Sequence, residues 1–285
     1  MVFRFRKSYI LLVLLFLLSV LSFPDEVKAV PTVGNESVEV PIIMYHQITR
    51  NESKVGKYII SQSQLEKDLD YITSLGYTTV TVEDLINFVK GNKSLPKKPI
   101  MLTFDDGQET VYTVLYPILK ARNMCAVISV IGSLADLYTE IDDHNDSYSY
   151  LNWEEISLLA KTEEIEIQNH SYDMHNLDKG RRGIAQKKNE SKEDYYKALN
   201  DDVGKMQLLL MRKATTKATA MVYPYGSHSD LTLEVCKSLG FQCTLTCEER
   251  ISQVTKYVPE SLFELGRYNR EGDIDSKEFF KRLFQ

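Results

Sequence analysis

The sequence predicts an α/β protein whose parallel strands close, or nearly close, into a (β/α) barrel. From Pro41 onward, short apolar runs of about four to six residues alternate with amphipathic stretches of about ten or more. Strands that alternate with helices indicate βαβ crossovers and hence a parallel sheet. About six to eight such units in about 245 residues favour a barrel over a small open sheet. We therefore expect one domain over residues 41–285.

The predicted strands are the short apolar runs, of which PIMLTF at 99–104 is the clearest. In chain order, the strands cover residues 41–45, 77–82, 99–104, 125–131, 165–168, 218–223 and 241–246.

The predicted helices carry apolar residues at a spacing of three or four. They cover residues 63–75, 82–89, 110–122, 152–159, 191–211 and 231–239. The first follows a capping box at Ser63–Glu66 and ends at Gly76, and Asn152 caps the fourth. The third should bend or restart at Pro117, because proline has no backbone N–H to donate.

The first 29 residues match the pattern of an export signal. A basic start precedes the uncharged apolar run Tyr9–Phe23, and small residues follow near Ala29. The alternative is an uncleaved anchor with residues 8–23 in the membrane, although a spanning helix usually needs ~20 apolar residues. Either segment implies a secreted or cell-surface protein. Residues 30–40, which contain proline, glycine and asparagine, are predicted to be a linker.

Composition and charge exclude several classes of protein. With 43% hydrophobic and 26% charged residues, the chain has a globular balance rather than that of a disordered protein. The formal net charge of -6 argues against a nucleic-acid partner, and we expect a monomer. Export permits a disulfide, but the sequence does not reveal the connectivity of Cys125, Cys236, Cys243 and Cys247.

Polar residues follow four of the predicted strands. In chain order they are His46, Asp105-Asp106-Gly107, Asn169-His170-Ser171 and Pro224-Tyr225-Gly226. The active site of a parallel (β/α) fold forms at the carboxyl ends of its strands. A turn or a helix cap explains any one of these groups alone, but four groups at one rim predict a functional site.

A metal site is the first chemistry that these residues suggest. Asp106, His170 and His175 could supply one carboxylate and two imidazoles, which suits Zn²⁺ or a similar divalent ion. Because adjacent side chains diverge, Asp105 is free to act as a base toward a water that the ion acidifies. Two histidines in one loop are a weak signal without the carboxylate pair.

Three segments resemble the motifs of a known family. They are PIMLTFDDGQET at 99–110, IEIQNHSYDMHNL at 165–177 and VYPYG at 222–226. These segments are similar to the first three motifs of the polysaccharide deacetylases, which are carbohydrate esterase family 4 or the NodB-homology family. The resemblance covers roughly residues 40–285. It implies a distorted (β/α)7–8 barrel and metal-dependent removal of N- or O-acetyl groups from sugars.

The resemblance also implies roles for the acidic pair and the histidines. Asp105 would be the general base, and Asp106 and His170 would bind the metal, most readily Zn²⁺, with Co²⁺ or Ni²⁺ as alternatives. Met174 stands where the common pattern has the second histidine. A spacing of five residues resembles the branch that acts on poly-β-1,6-N-acetylglucosamine and points to His175. The alternative is a lost ligand and an inactive protein.

Two further departures from the common pattern concern charge and proton transfer. Val222 stands where the third motif usually has arginine, so Arg267 becomes a candidate for orienting Asp105, with an ordinary surface or interdomain ion pair as the alternative. The late leucine–histidine motif is absent. In the poly-β-1,6-N-acetylglucosamine branch the N-terminal strand supplies the general acid, which here would be His46. The alternative is a buried structural histidine.

The same resemblance implies the contacts to the sugar. The backbone N–H of Tyr225 would stabilise the oxyanion and its ring would face the sugar. Tyr223, Pro224 and Trp153 would complete the substrate-binding wall, although Trp153 could equally belong to the core. The expected function is deacetylation of N-acetylglucosamine-containing glycans. An O-acetyl carbohydrate esterase and an inactive glycan-binding protein are the alternatives.

Overall fold

The structure is a computed structural model that describes residues 36–177 and 180–284. These residues belong to a single compact unit. The predicted signal or anchor over residues 1–29 lies outside them, as does the linker as far as residue 35. Every helix in the described part of the chain is too short or too polar to cross a lipid bilayer.

The described residues form twelve strands. They are β1 Ser37–Val40, β2 Ile42–Tyr45, β3 Gln47–Thr49, β4 Ile59–Ser61, β5 Thr78–Thr79, β6 Pro99–Phe104, β7 Ala126–Val130, β8 Ile165–Asn169, β9 Ala220–Val222, β10 Cys243–Leu245, β11 Ser252–Thr255 and β12 Tyr268–Asn269.

The α-helices surround the sheet. They are α1 Gln62–Ser74, α2 Val82–Val89, α3 Tyr116–Arg122, α4 Gly132–Ile141, α5 Trp153–Leu159, α6 Lys192–Leu199, α7 Lys205–Lys213, α8 Asp230–Ser238 and α9 Ser276–Leu283. Short π-helical turns at Val111–Leu115 and Asn200–Gly204 precede α3 and α7.

The central sheet has eight strands in the order β10-β9-β8-β7-β6-β2-β12, with β5 beside β6. All its strand pairs are parallel. The sheet curls until its two ends approach at Leu265, whose N–H donates to Thr244 O at 2.8 Å and whose carbonyl accepts from Thr246 N at 2.9 Å. The predicted α/β barrel, distorted and almost closed, is confirmed.

Alternation along the strands decides which side chains point into the barrel. Met101, Thr103 and Asp105 share one face of β6 and its continuation, and Val127 and Ser129 share one face of β7. The apolar members pack in a buried cluster with Ile42, Val222 and Leu245. The polar members follow toward the carboxyl ends of the strands. The interior of the barrel is therefore apolar in its lower part and polar at the carboxyl ends of the strands.

One predicted helix start is wrong. The capping box of α1 is Ser61 with Gln64 rather than Ser63 with Glu66, because β4 ends at Ser61 and the helix starts at once. Ser61 Oγ accepts from Gln64 N at 3.2 Å, and Gln64 Oε1 accepts from Ser61 N at 3.1 Å. The helix predicted over 110–122 restarts near Pro117, as expected, after a π-helical turn.

The predicted linker over residues 30–40 is also wrong at its end. Ser37–Val40 forms β1, which pairs antiparallel with β11. Val40 is fully buried and Val38 packs against the same apolar cluster, while Ser37 and Glu39 are exposed. This alternation is typical of a half-buried strand. The domain therefore begins before residue 41.

Candidate active site

A cavity of about 630 Å³ opens at the carboxyl ends of the strands. Six of the predicted site residues line it: His46, Asp105, Asp106, His170, His175 and Tyr225. They come from the segments that follow β2, β6, β8 and β9. The parallel sheet thus brings together residues that are up to 179 positions apart in the sequence.

Asp105 is held in one orientation by three hydrogen bonds. Its Oδ1 accepts from Arg267 Nη1 at 2.7 Å and from Ser129 Oγ at 2.9 Å, and its Oδ2 accepts from Arg267 Nη2 at 2.8 Å. Burial alone would raise the pKa of Asp105, but the Arg267 guanidinium and the nearby His170 hold it well below its usual range. Asp105 is therefore an ionised, oriented carboxylate.

Arg267 itself is completely buried. Besides Asp105, it donates from Nε to Thr246 O at 2.8 Å and from Nη1 to Thr103 Oγ1 at 3.2 Å. The paired carboxylate raises the pKa of Arg267 against the effect of burial. A surface ion pair, the alternative weighed for this arginine, does not describe a fully buried guanidinium. Its position is that of a group that orients Asp105.

Asp106, His170 and His175 converge beside Asp105. Asp106 Oδ1 is 3.6 Å from His170 Nε2 and 3.4 Å from His175 Nε2, and the two imidazole rings are 4.9 Å apart. The Oδ1 atom is buried and has no hydrogen-bond partner among the described residues. A buried polar atom without a partner costs free energy unless a ligand satisfies it.

The tautomer and the charge of the His170 imidazole suit a metal ligand. Its Nδ1 lies 2.8 Å from Val222 O, and donation to this carbonyl leaves the lone pair of Nε2 facing Asp106. Burial lowers the pKa of His170 to about 4, so the ring is neutral near pH 7. One carboxylate and two imidazoles fit Zn²⁺ or a similar divalent ion with open coordination positions.

Left-handed backbone conformations place these side chains. Asp106 and Gly107 have φ of 71° and 73°, and Ser171 and Tyr225, after β8 and β9, have φ of 76° and 59°. A Cβ on Gly107 would lie 2.8 Å from Val130 Cγ1, so the tight turn requires glycine there. The chain therefore turns sharply where β6, β8 and β9 meet the cavity.

His46 follows β2 and lies against Tyr58, with ring centroids 4.9 Å apart in an edge-on arrangement. Its Nδ1 is buried and lacks a hydrogen-bond partner in the described residues. Burial lowers the pKa of His46, although the Asp105 and Asp106 carboxylates oppose this shift. The ring is thus positioned beside the acidic pair and remains available for proton transfer.

Tyr225 lines the cavity with its ring 4.4 Å from that of His175, and its hydroxyl donates to His175 O at 3.4 Å. The Arg182 guanidinium lies 6.0 Å from the centre of the Tyr225 ring. The aromatic ring therefore forms a wall between the candidate metal ligands and a cationic side chain.

Three residues predicted to bind substrate do not line the cavity. Tyr223 is completely buried, because strand alternation turns it away from the barrel interior that Val222 faces. Pro224 is buried at the start of a short 3₁₀ turn. Trp153 lies in α5, outside the barrel, and its Nε1 donates to Asp136 Oδ1 at 2.8 Å. The core position that was the alternative for Trp153 is correct.

Several cavity residues were not expected from the sequence. Ser129, which donates to Asp105 but does not line the cavity, could also have been found, because it is a polar residue on the inward face of a buried strand. Arg182, Tyr58 and Glu271 lie in loops without a local pattern. Cys247 also lines the cavity, with Sγ 3.7 Å from Arg267 Nη2, and all four cysteines are free thiols.

Comparisons with known proteins indicate the family to which the chain belongs. The polysaccharide deacetylase family model matches residues 92–244. The poly-β-1,6-N-acetyl-D-glucosamine N-deacetylase of Escherichia coli K12 is 23% identical over 232 residues, which are 75% of this chain and 34% of that protein. The enzyme of the same name from Staphylococcus aureus MRSA252 is 28% identical over 200 residues, which are 70% and 65%. The chain thus spans between a third and two thirds of the length of these relatives.

A solved structure supports the fold. The de-N-acetylase from Aggregatibacter actinomycetemcomitans superposes with a TM-score of 0.73 at 21% identity, covering 86% of this chain and 99% of that one. The family model covers more than half of the 285 residues and includes Asp105, Asp106, His170, His175 and Tyr225. The chain belongs to the polysaccharide deacetylase family.

Proposed function

We propose that this protein is a metal-dependent polysaccharide N-deacetylase that releases acetate from N-acetylglucosamine-containing glycans and leaves a free amine. The observation that carries the proposal is the position of Asp105. This ionised carboxylate is fixed by Arg267 and lies next to the ligand trio Asp106, His170 and His175. Metal-assisted hydrolysis of an amide requires an oriented base beside a bound divalent ion. The residues of this site suit both requirements.

The residues have complementary roles in the proposed reaction. A divalent ion held by the trio supplies positive charge that acidifies water and polarises the acetyl carbonyl. Asp105 accepts the proton of the attacking water, and Arg267 keeps the Asp105 carboxylate ionised and aimed. The backbone N–H of Tyr225 donates to the developing oxyanion. His46 gives a proton to the departing amine, which would otherwise leave as an unstable anion.

The substrate that we propose is poly-β-1,6-N-acetylglucosamine. Two curated relatives carry this polymer in their names, and the spacing between His170 and His175 resembles that branch of the family. We propose Zn²⁺ as the ion, with Co²⁺ and Ni²⁺ as substitutes that the same ligands accept. We also propose a monomer that acts outside the cytoplasm, with residues 1–29 as signal or anchor.

Acetate release from a panel of acetylated glycans tests this function. The full chain, with and without a chelator, is incubated with poly-β-1,6-N-acetylglucosamine, chitin oligomers, peptidoglycan and O-acetylated xylan. We expect chelator-sensitive release from the first polymer. Release from the xylan alone would indicate an O-acetyl esterase. Glycan binding without acetate release would indicate a non-catalytic protein.

The neighbouring residues Met174 and His175 provide a test of the ligand assignment. We expect His175→Ala to weaken Zn²⁺ binding at least about 10-fold, because a direct ligand is lost. Met174→Ala should leave Zn²⁺ affinity within about 3-fold, because Met174 is partly buried against the core and is not one of the trio. Calorimetric titration of both variants with Zn²⁺ measures the difference. Equal loss in both variants would remove His175 from the metal site.

His46→Gln tests the general acid. An amine leaving group needs a proton, whereas an aryl acetate expels a stable phenolate without one. We expect the variant to lose about 10²-fold or more in kcat/KM on N-acetylglucosamine oligomers and far less on an aryl acetate. Parallel assays of the two substrates with the same protein preparation measure the ratio. Equal losses would show that His46 positions the site rather than donating the proton.

A further inference from the structure

A second group of metal-ligating side chains lies outside the cavity. Glu109 comes shortly after the Asp105–Gly107 turn, His144 lies in the loop between α4 and α5, and Glu155 is in the first turn of α5. His144 Nδ1 is 3.2 Å from Glu109 Oε1 and 3.1 Å from Glu155 Oε1. One ligand atom from each residue lies within 4.8 Å of the other two.

These separations suit a shared ion. Ligand atoms about 2.0–2.2 Å from one tetrahedral Zn²⁺ are themselves roughly 3.3–3.6 Å apart. The 3.1 and 3.2 Å separations around His144 are even shorter than the 3.4 and 3.6 Å separations around Asp106 in the candidate active site. The ligand atoms of the second group thus lie about as close to one another as those of the first.

The two glutamates of this group share His144 as their ion-pair partner, and the hydrogen bonds to Glu109 and Asp142 raise the pKa of His144. Glu109 is 1% exposed and Glu155 is 6% exposed, and both approach the same imidazole nitrogen. Burial and the neighbouring Glu155 carboxylate raise the pKa of Glu109 to about 7. Glu109 Oε2 is buried and has no hydrogen-bond partner in the described part of the chain. Buried carboxylates with an unpaired oxygen call for a cation or a proton.

The other contacts of Glu155 and His144 keep their ligand atoms directed toward the group. Glu155 Oε2 accepts from Asn152 N at 3.0 Å as part of the capping box of α5, so its Oε1 remains directed at His144. On the outer side of the ring, His144 Nε2 lies 3.2 Å from the exposed Asp142. This contact orients the imidazole so that Nδ1 faces the two glutamates.

We propose that Glu109, His144 and Glu155 form a second divalent-cation site, separate from the catalytic cavity. Two carboxylates and one imidazole suit Zn²⁺ or Mn²⁺. An ion there would join three segments of the chain. The loop that carries His144 already meets the turn after β6, where Glu109 N donates to Ser149 O and Leu151 N donates to Gly107 O, both at 2.9 Å. The second ion would brace the turn that carries the catalytic carboxylates.

The number of bound ions tests the proposal. The full chain is equilibrated with Zn²⁺ at a low buffered concentration, and the bound zinc is counted by native mass spectrometry. We expect two ions in the wild type, one in Glu155→Gln, one in His175→Ala and none in the double variant. Glu154→Gln is the matched control, since Glu154 is the exposed neighbour of Glu155 in the first turn of α5 and contributes no ligand atom to the group, and it should still bind two ions.

Glu155→Gln retains an acceptor oxygen for Asn152 N, so it should fold, and its far-ultraviolet circular dichroism checks this. The proposal is overturned if the wild type binds one ion and His175→Ala binds none, which is the result expected if a protonated His144 alone neutralises the glutamates. Two ions in Glu155→Gln would overturn it as well. Failure of the catalytic site would instead appear as an unchanged count in His175→Ala. Anomalous diffraction at the zinc edge should place the second peak between Glu109 and Glu155.

Discussion

Asp105→Asn is expected to lower kcat/KM for acetate release by about 10²–10⁴-fold while the protein keeps its bound metal. The asparagine side chain has nearly the same shape as aspartate but cannot take up a proton from water. The metal trio does not include Asp105, so Zn²⁺ binding should change little. Steady-state acetate release and calorimetric Zn²⁺ titration of the same preparation measure both effects.

This variant also leaves Arg267 without its charged partner, so its folding needs a separate check. Thermal unfolding should show a lower Tm, and kinetics should be measured well below it. Turnover within a few fold of the wild type in a folded Asp105→Asn would remove Asp105 as the base. Loss of Zn²⁺ together with turnover would show that Asp105 belongs to the metal site instead.

Arg267→Met is expected to destabilise the protein by about 3–5 kcal/mol and to reduce turnover strongly in the fraction that remains folded. The methionine fills similar space but leaves the Asp105 carboxylate buried without its counter-charge. Without the two guanidinium hydrogen bonds, Asp105 also loses its fixed orientation. Urea unfolding followed by circular dichroism measures the first effect, and acetate release at low temperature measures the second.

A second buried ion pair provides a matched control. Arg270 donates from Nε to Asp68 Oδ2 at 2.8 Å and from Nη2 to Asp68 Oδ1 at 3.1 Å, and both residues are fully buried outside the cavity. Arg270→Met should therefore cost a similar free energy of unfolding but leave kcat of the folded protein nearly unchanged. If the two variants lose turnover equally, Arg267 acts through stability alone and does not orient Asp105.

The strand ends were predictable because they follow local patterns. Short apolar runs define the strands, and in a parallel sheet their carboxyl ends meet at one rim, so His46, Asp105 and His170 could be assigned to one site from the sequence. The fold class followed from the same alternation of strands and helices. The sequence could name Arg267 only as a candidate for orienting Asp105, because the two residues are 162 positions apart.

The predictions that were wrong, and the residues that were missed, also have physical explanations. Tyr223 follows an inward-facing residue, and period-two alternation along the strand places it outside the barrel, which the motif resemblance did not take into account. Trp153 lies on a helix whose outer position only the three-dimensional packing reveals. The group of Glu109, His144 and Glu155 draws on three segments that carry no shared sequence pattern. Long-range pairing of polar residues leaves little trace in local periodicity.

The most direct test of the central claim is acetate release from β-1,6-linked N-acetylglucosamine oligomers by metal-stripped protein as Zn²⁺ is added back. The account predicts no release from the stripped wild type, restored release as Zn²⁺ is added, and no restoration in His175→Ala under the same conditions. Acetate release by the fully stripped protein, or none from a wild type shown to hold Zn²⁺ at Asp106, His170 and His175, would contradict it.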